Sequence, residues 1–310
     1  MTTNLDLEIK PVAETAVNSI LGLLQQGLEH DRLTGDLIEE KLWVDPDFDS
    51  TLNLIAWLKG RPVGVISAVF RPNQSQGFVK FMVVLDQLQG QGIGSLLLQK
   101  VERRLAALGA KTIRLGESAP NYLWPGVDLR YTRAFLFFER KGYQRLGPAV
   151  NMTADLRALA PFKGQPPDDV FISRASHQDH DGLMTFLERF WPSWQDEAAR
   201  AFTHKPISAH LAFHAGDVIG FSMYDANNIG TAWFGPMGTD PQWSGRGIGA
   251  ILLRRCLQDL KGQGHLYATI PWVGPVEFYA RQVGARISRC FYRYEKDLEH
   301  KKSSARSLNS

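Results

Sequence analysis

The chain has 310 residues, of which 44% are hydrophobic, 22% charged and 11% aromatic, and its formal net charge is +3. That length suits two globular domains, and a charge so mild and so evenly spread implies no nucleic-acid surface. No apolar run approaches the ~20 residues of a membrane span, and MTTNLDLEIK has no basic segment ahead of an apolar core, so the expected compartment is the cytoplasm, with no membrane partner.

In chain order, a first strand near Leu7 and one or two helices precede LNLIAWLKGRPVGVISAVF (52–70), two strand-like runs broken by a Gly-containing turn. The strand MVVL (82–85) leads into LQGQGIGSLLLQ (88–99), where glycines open a helix with Ile93, Leu96, Leu97, Val101 and Leu105 on one stripe. A strand at 112–116, the polar and aromatic stretch ESAPNYLWPGVDLRYTR (117–133), a short helix in FLFFERKG and strands reaching Asp155 complete this half. RALAPFKGQPPDD (157–169), rich in Pro and Gly and lacking periodicity, reads as a linker. The same order then returns: the hairpin AHLAFHAGDVIGFSMY (209–224), a strand at 233–239, SGRGIGAILLRR (244–255), a strand at 266–270, a short helix in GPVEFYARQVGA and final strands. The tail EHKKSSARSLNS (299–310) is polar and unpatterned, as a disordered end would be.

The repetition is quantitative. An offset of 155 sets Gly92 on Gly247 and Leu105 on Leu260, 156 sets Gly64 on Gly220, and 142 sets Gly142 on Gly284 and Asp155 on Asp297. The first copy therefore carries about 14 extra residues within 117–133. The expected fold class is α+β, with two consecutive domains, each a mixed and mostly antiparallel sheet flanked by helices. The expected divisions are 1–157, a linker at 158–169, 170–298 and a tail at 299–310.

A helix start leaves N–H groups unpaired and carries the positive end of the dipole, so a phosphate binds there, and glycines allow close approach. Neither turn is followed by the Lys-Ser or Lys-Thr of a nucleotide P-loop, and neither has G-x-G-x-x-G spacing. About 20 residues beyond the turns, where a dinucleotide fold places an acidic residue, stand Arg114 and Thr269.

MVVLDQLQGQGIGSLLL and MGTDPQWSGRGIGAILL resemble motif A of the GNAT superfamily of N-acetyltransferases. The first copy matches with Gln89, Gly92 and Gly94; the second keeps Pro241, Gly247 and Gly249 but has Ser244 where Gln or Arg is usual. The resemblance implies acetyl-CoA as cosubstrate and no metal. Its pyrophosphate would lie on Gln89, Gly90, Gln91, Gly92, Ile93 and Gly94, and on Ser244, Gly245, Arg246, Gly247, Ile248 and Gly249. The pantetheine arm would follow Met82, Val83 and Val84, and Met237, Gly238 and Thr239, with a strand N–H polarising the thioester. The family's Tyr acid would be Tyr279, five residues before Gly284 rather than the usual four; the first copy offers only Phe137 and Phe138. The second copy is thus the expected catalyst, and the first is degenerate or only CoA-binding.

Glu117, Asp128, Asp225 and Glu277 are candidate bases by proximity alone, beside a water relay. His210 and His214 share a strand face ~13 Å apart, too far to hold one ion; His177 and His180 read as caps or surface, and Cys256 and Cys290 as free thiols. Tyr122, Trp124, Tyr131, Trp191, Trp194 and Trp272 are either core or cleft walls. APNYLWPGVD is similar to the insertion of glucosamine and glucosaminide N-acetyltransferases, which implies a small-molecule primary amine, an amino sugar, as acceptor. The alternative function is a non-catalytic acyl-CoA sensor. The sequence leaves the oligomeric state open.

Overall fold

The computed structural model describes residues 6–160 and 164–299. The expected disordered tail from residue 300 on, and part of the expected linker, lie outside the described residues. The first repeat holds β1 (Leu7–Pro11), α1 (Val17–Gly27), α2 (Gly35–Lys41), β2 (Asn53–Leu58), β3 (Arg61–Arg71), β4 (Gln76–Val84), α3 (Ile93–Leu108), β5 (Thr112–Leu115), β6 (Val127–Asp128), α4 (Thr132–Arg140) and β7 (Gln144–Asp155). The second holds β8 (Val170–Arg174), α5 (His180–Phe190), α6 (Gln195–Ala201), β9 (Ala209–His214), β10 (Asp217–Tyr224), β11 (Phe234–Thr239), α7 (Ile248–Gly262), β12 (Tyr267–Ile270), α8 (Val276–Val283) and β13 (Arg286–Asp297).

The compact units do not follow the repeats. One unit runs to Ala149 and resumes at Phe291; the other is Val150–Cys290. The expected division at 157/170 is therefore displaced, because each repeat's last strand belongs to the other repeat's sheet. In the first unit β13 pairs antiparallel with β5, Glu295 against Arg114. In the second unit β7 pairs antiparallel with β12, Met152 against Ile270.

In the first unit the order is β1-β2-β3-β4-β5, antiparallel except for the β4–β5 pair, and the last half of β13 closes it. The stripe Ile93, Leu97, Leu98, Val101 and Leu105 of α3 packs on one face with Phe138 and Tyr294. Helices α1 and α2 cover the other face with Ile20, Leu24, Leu37 and Ile38. The second unit runs β8-β9-β10-β11, all antiparallel, and β12 adjoins β11 through the parallel bridge Trp233–Thr269. Leu253, Cys256, Leu257 and Leu260 of α7 pack against Met152, Ala154 and Tyr279, while α5 and α6 cover the opposite face with Leu183, Leu187 and Ala198. Among the described residues, no helix is long and apolar enough to cross a membrane.

Candidate active site

Two strands must part before a ligand can lie between them. The parallel β4–β5 ladder runs from Gln76–Thr112 to Val79–Leu115, and its last rung is the Gly116 N–H donating to the Val79 carbonyl at 2.9 Å. Beyond it β4 parts from β5 and continues paired with β3 alone. The cause is a bulge: Phe81 pairs with Ser67 and Val79 with Ala68, so Lys80 is an extra residue, which bends the strand. At the same place in the second unit β11 shifts register opposite Ser222–Tyr224, and the offset of 155 sets Gly235 on Lys80. Gly235–Pro236 is a cis bond, and proline, which has no N–H to give a ladder, is tolerated at a bulge.

The bulge of the first unit is held by buried charge. Lys80 Nζ donates to Asp45 Oδ2 and to the Lys41 carbonyl, both at 2.5 Å, and Arg71 forks onto Asp45 at 2.6 and 2.9 Å. Burial pulls the Lys80 ammonium down to about 8 against the opposing pull of Asp45. The Asp45 carboxyl, which burial alone would raise, is brought below its ordinary value by Lys80 and Arg71.

The N–H groups that line the gap follow from strand alternation. Leu85 N–H donates to Val63 O at 3.0 Å, so Phe81, Val83 and Leu85 face β3 and Met82 and Val84 face the open edge. Asp240 N–H donates to Ile219 O at 2.8 Å, so Gly238 faces β10 and Met237 and Thr239 face the gap. The offset of 155 superposes these pairs. Gln89, expected on a phosphate, donates instead to the Val84 carbonyl at 3.0 Å and to Asp86 Oδ1 at 2.8 Å.

Each gap ends at a glycine-opened helix. Gly92 caps α3 at φ 90° and Gly247 caps α7 at φ 82°, with no side-chain cap on either helix. Gly90 and Gly245 also have positive φ, and no atom stands within 4 Å of the Cβ position of any of these four glycines. The first helical bonds are Leu96 N–H to Gly92 O and Ala250 N–H to Gly247 O, leaving Ile93, Gly94, Ser95, Ile248 and Gly249 N–H without intrahelical acceptors. Gln91 and Arg246 are exposed, the latter stacked over Trp243 at 4.5 Å, and Ser244 is also exposed. These groups fit an elongated thioester with an anionic end: strand N–H groups along the arm and dipole-charged N–H groups at the phosphates.

The two sites differ at their ends. In the first unit a cavity of about 460 Å³ adjoins Gly92 between α3 and α4, with Arg140, Lys141 and Lys296 on its wall. In the second, Arg254, at the position of Gln99, donates to the Gln282 and Ala160 carbonyls. The aromatic pairs on the short helices resolve the register of Tyr279. Phe137 and Phe138 meet edge to face at 5.2 Å, as Phe278 and Tyr279 do at 5.1 Å, and Phe137 and Phe278 lie 3.6 and 3.7 Å from the Cβ positions of Gly94 and Gly249. Tyr279 therefore stands where Phe138 stands, and α8 absorbs the extra residue before Gly284. Its ring packs on Phe234 at 6.2 Å, and burial pushes its phenol up to about 12.

Other candidates are engaged structurally. Glu117, 3% exposed, is clamped by Arg293 at 2.6 and 3.0 Å and Arg114 at 3.0 Å; Asp128 holds Arg130 at 2.7 Å; Glu277 pairs on the surface with Arg281 at 2.5 Å. Asp225 is buried at a positive φ at the end of β10. Trp124 Nε1 and Tyr131 OH both donate to Asp31, at 2.9 and 2.6 Å, and Tyr122 is buried, so the insertion packs into the first unit rather than lining a cleft. Ser176 with Asp179, not His177, caps the segment leading into α5. His210 Nε2 meets Asp259 Oδ2 at 2.7 Å, while His214 lies against Trp243 at 4.4 Å. Among the described residues no group of three or more His, Cys, Asp or Glu is placed to hold a metal.

The model of the Acetyltransferase (GNAT) family matches residues 18–122 and 180–284. No curated protein sequence matches the chain. Among solved structures, the GCN5-related glucosamine N-acetyltransferase region in a fungal multi-domain GH3 β-N-acetylglucosaminidase superposes with TM-score 0.79 at 20% identity, over 95% of this chain and 38% of that one. A GCN5-related N-acetyltransferase from Sphaerobacter thermophilus gives 0.73 at 17%, over 94% and 95% of the two chains. A tandem GNAT protein from the clavulanic acid biosynthesis pathway gives 0.72 at 15%, over 94% and 98%. The chain thus spans under two fifths of the fungal protein and nearly all of the other two, and with both repeats matched it belongs to the Acetyltransferase (GNAT) family.

Proposed function

We propose that this protein transfers an acetyl group from acetyl-CoA to the primary amine of a small molecule, an amino sugar, at the gap of the second unit. The observation that carries this reading is the alignment of three elements there: the gap-facing N–H of Met237, the uncapped start of α7 behind Gly247, and the Tyr279 phenol in the register where the first unit has Phe138. A neutral amine attacks the thioester carbonyl, forming the C–N bond, and the Met237 N–H donates to the resulting oxyanion. Collapse breaks the C–S bond, Tyr279 gives its proton to the departing thiolate, and water carries away the amine proton. With its pKa raised by burial, Tyr279 stays protonated throughout the neutral range.

In the first unit a donor-binding role is favoured. The cavity beside Gly92 leaves room for the nucleotide end, the phenol is absent, and Tyr122 and Leu123 of the insertion are buried. The fungal region named for glucosamine acetylation supports an amino-sugar acceptor. The test is thiol release from acetyl-CoA with glucosamine as acceptor. Tyr279→Phe should lower the single-turnover rate by roughly 10²-fold with acetyl-CoA affinity unchanged, and Phe138→Tyr should leave it as it was. Full turnover by Tyr279→Phe when chemistry is limiting sinks the assignment.

A further inference from the structure

Beside each oxyanion donor the two units exchange bulk. In the first unit Val83 follows Met82, and the facing end of α1 is Gly27, whose Cβ position lies only 2.3 Å from Val83 Cγ1. In the second unit the strand residue is the small one. Gly238 follows Met237, and its Cβ position lies 2.6 and 2.7 Å from ring carbons of Trp191 and 3.0 Å from Phe221. Leu28 and Trp191 occupy the same place: each is the C-cap of its helix, with its N–H on Leu24 O and Leu187 O respectively. A glycine has opened the strand so that an indole can lie against it, one residue (~3.8 Å along the chain) from the donor that faces the gap.

The indole is rigidly backed and partly open. Trp191 lies 5.9 Å from Phe186, 6.0 Å from Phe221 and 5.5 Å from Trp194, the last pair stacked at 26°. It is half-buried, whereas Leu28 is 8% exposed. Its position on the α5–α6 face also matters. The start of α7 packs with Ile172, Ala212 and Ile219, and Tyr279 with the rest of α7, both opposite the α5–α6 face, so a thioester arm in the gap leaves the α5–α6 side as the open approach to its carbonyl.

We propose that Trp191, admitted by Gly238, is the acceptor-side wall of the second unit and selects a ring-bearing amine over an open-chain one. An indole face is electron-rich and flat, and binds a ring that presents polarised C–H groups and an amine beside it, which is the chemistry of a hexosamine. In the first unit Val83 and Leu28 offer no such surface. This inference rests on acetyl transfer occurring in the second unit, and Trp191 is a specificity determinant rather than a catalytic group.

The experiment compares glucosamine with 1,4-diaminobutane as acceptors in the full chain, with acetyl-CoA saturating. The wild type should favour glucosamine by 10-fold or more in kcat/KM. Trp191→Leu should raise KM for glucosamine about 10-fold with kcat changed less than 3-fold and KM for diaminobutane unmoved, and Trp191→Phe should recover most of the loss. Because Trp191 packs on Phe221, Gly238→Ala serves as a second probe if Trp191→Leu fails to fold; its methyl displaces the indole and should raise the KM for glucosamine more than that for diaminobutane. An unchanged glucosamine KM in either folded variant, a wild-type preference for diaminobutane, or transfer to neither amine overturns the proposal. Glucosamine transfer that survives Tyr279→Phe undiminished overturns the second-unit assignment itself.

Discussion

Tyr294→Ala should loosen the unit built mainly from the first repeat, although Tyr294 belongs to the second. Its side chain is fully buried among Leu97, Leu115 and Phe138, stacks on Phe135 at 6.2 Å, and donates to Glu139 Oε1 at 2.9 Å. Truncating a buried aromatic to alanine costs ~3–5 kcal/mol. At 1.4 kcal/mol per factor of ten, amides that exchange only when the unit opens should exchange roughly 10²-fold to several 10³-fold faster. Hydrogen exchange read by mass spectrometry resolves this, because peptides from α3 and β5 report on the first unit and peptides from α7 and β10 on the second. Faster exchange is expected in α3 and β5. If α7 and β10 lose protection while α3 keeps it, the strand exchange deduced from the sheet pairing is wrong. Met152→Ala, at a fully buried site of β7, should do the reverse.

Gly247→Val meets no atom within 4 Å, so its cost is left-handed strain of ~1–3 kcal/mol and a side chain where an anion would approach. Calorimetry should show CoA affinity at the second unit falling at least 10-fold, with Gly92→Val doing the same at the first; unchanged affinity in both would refute anion binding at the helix starts. Burial raises the Tyr279 phenol from 10 to about 12, so its stabilising contribution is complete below pH 10 and lost by pH 12. Urea melts should therefore show the stability difference between wild type and Tyr279→Phe shrinking by about 2–3 kcal/mol across that window, and a constant difference would contradict the burial of the hydroxyl.

The repeat, the hairpins and the helix starts were legible because glycines at fixed offsets and a 3.6-residue stripe are local signals. The exchange of closing strands was not. Residues 150–155 and 291–297 are both amphipathic strands, and nothing in their alternation says which sheet edge each will meet. Lys80 lies ahead of the strand read from the sequence at 82–85, and its role as the bulge residue needed the register against Ser67 and Ala68. Counting back from Gly284 leaves Tyr279 one residue out of step, and the adjacent aromatic pairs FF and FY carry the signal that the end of α8 absorbs it. Trp191 and Gly238 lie far apart in sequence and take their meaning only from touching.

The exchange of closing strands also sets a schedule for synthesis. The first unit is ready apart from the last half of β13 when residue 149 is made, and that half begins at Phe291. At ~5–20 residues per second, making the intervening 150–290 takes roughly 7–28 s, during which β5 presents an unpaired edge and the seats of Phe291 and Tyr294 stand open. An edge exposed for that long invites pairing with another nascent chain. Chaperone demand for this protein should therefore rise when elongation slows anywhere between the two closing strands, including stretches that form no part of the waiting unit.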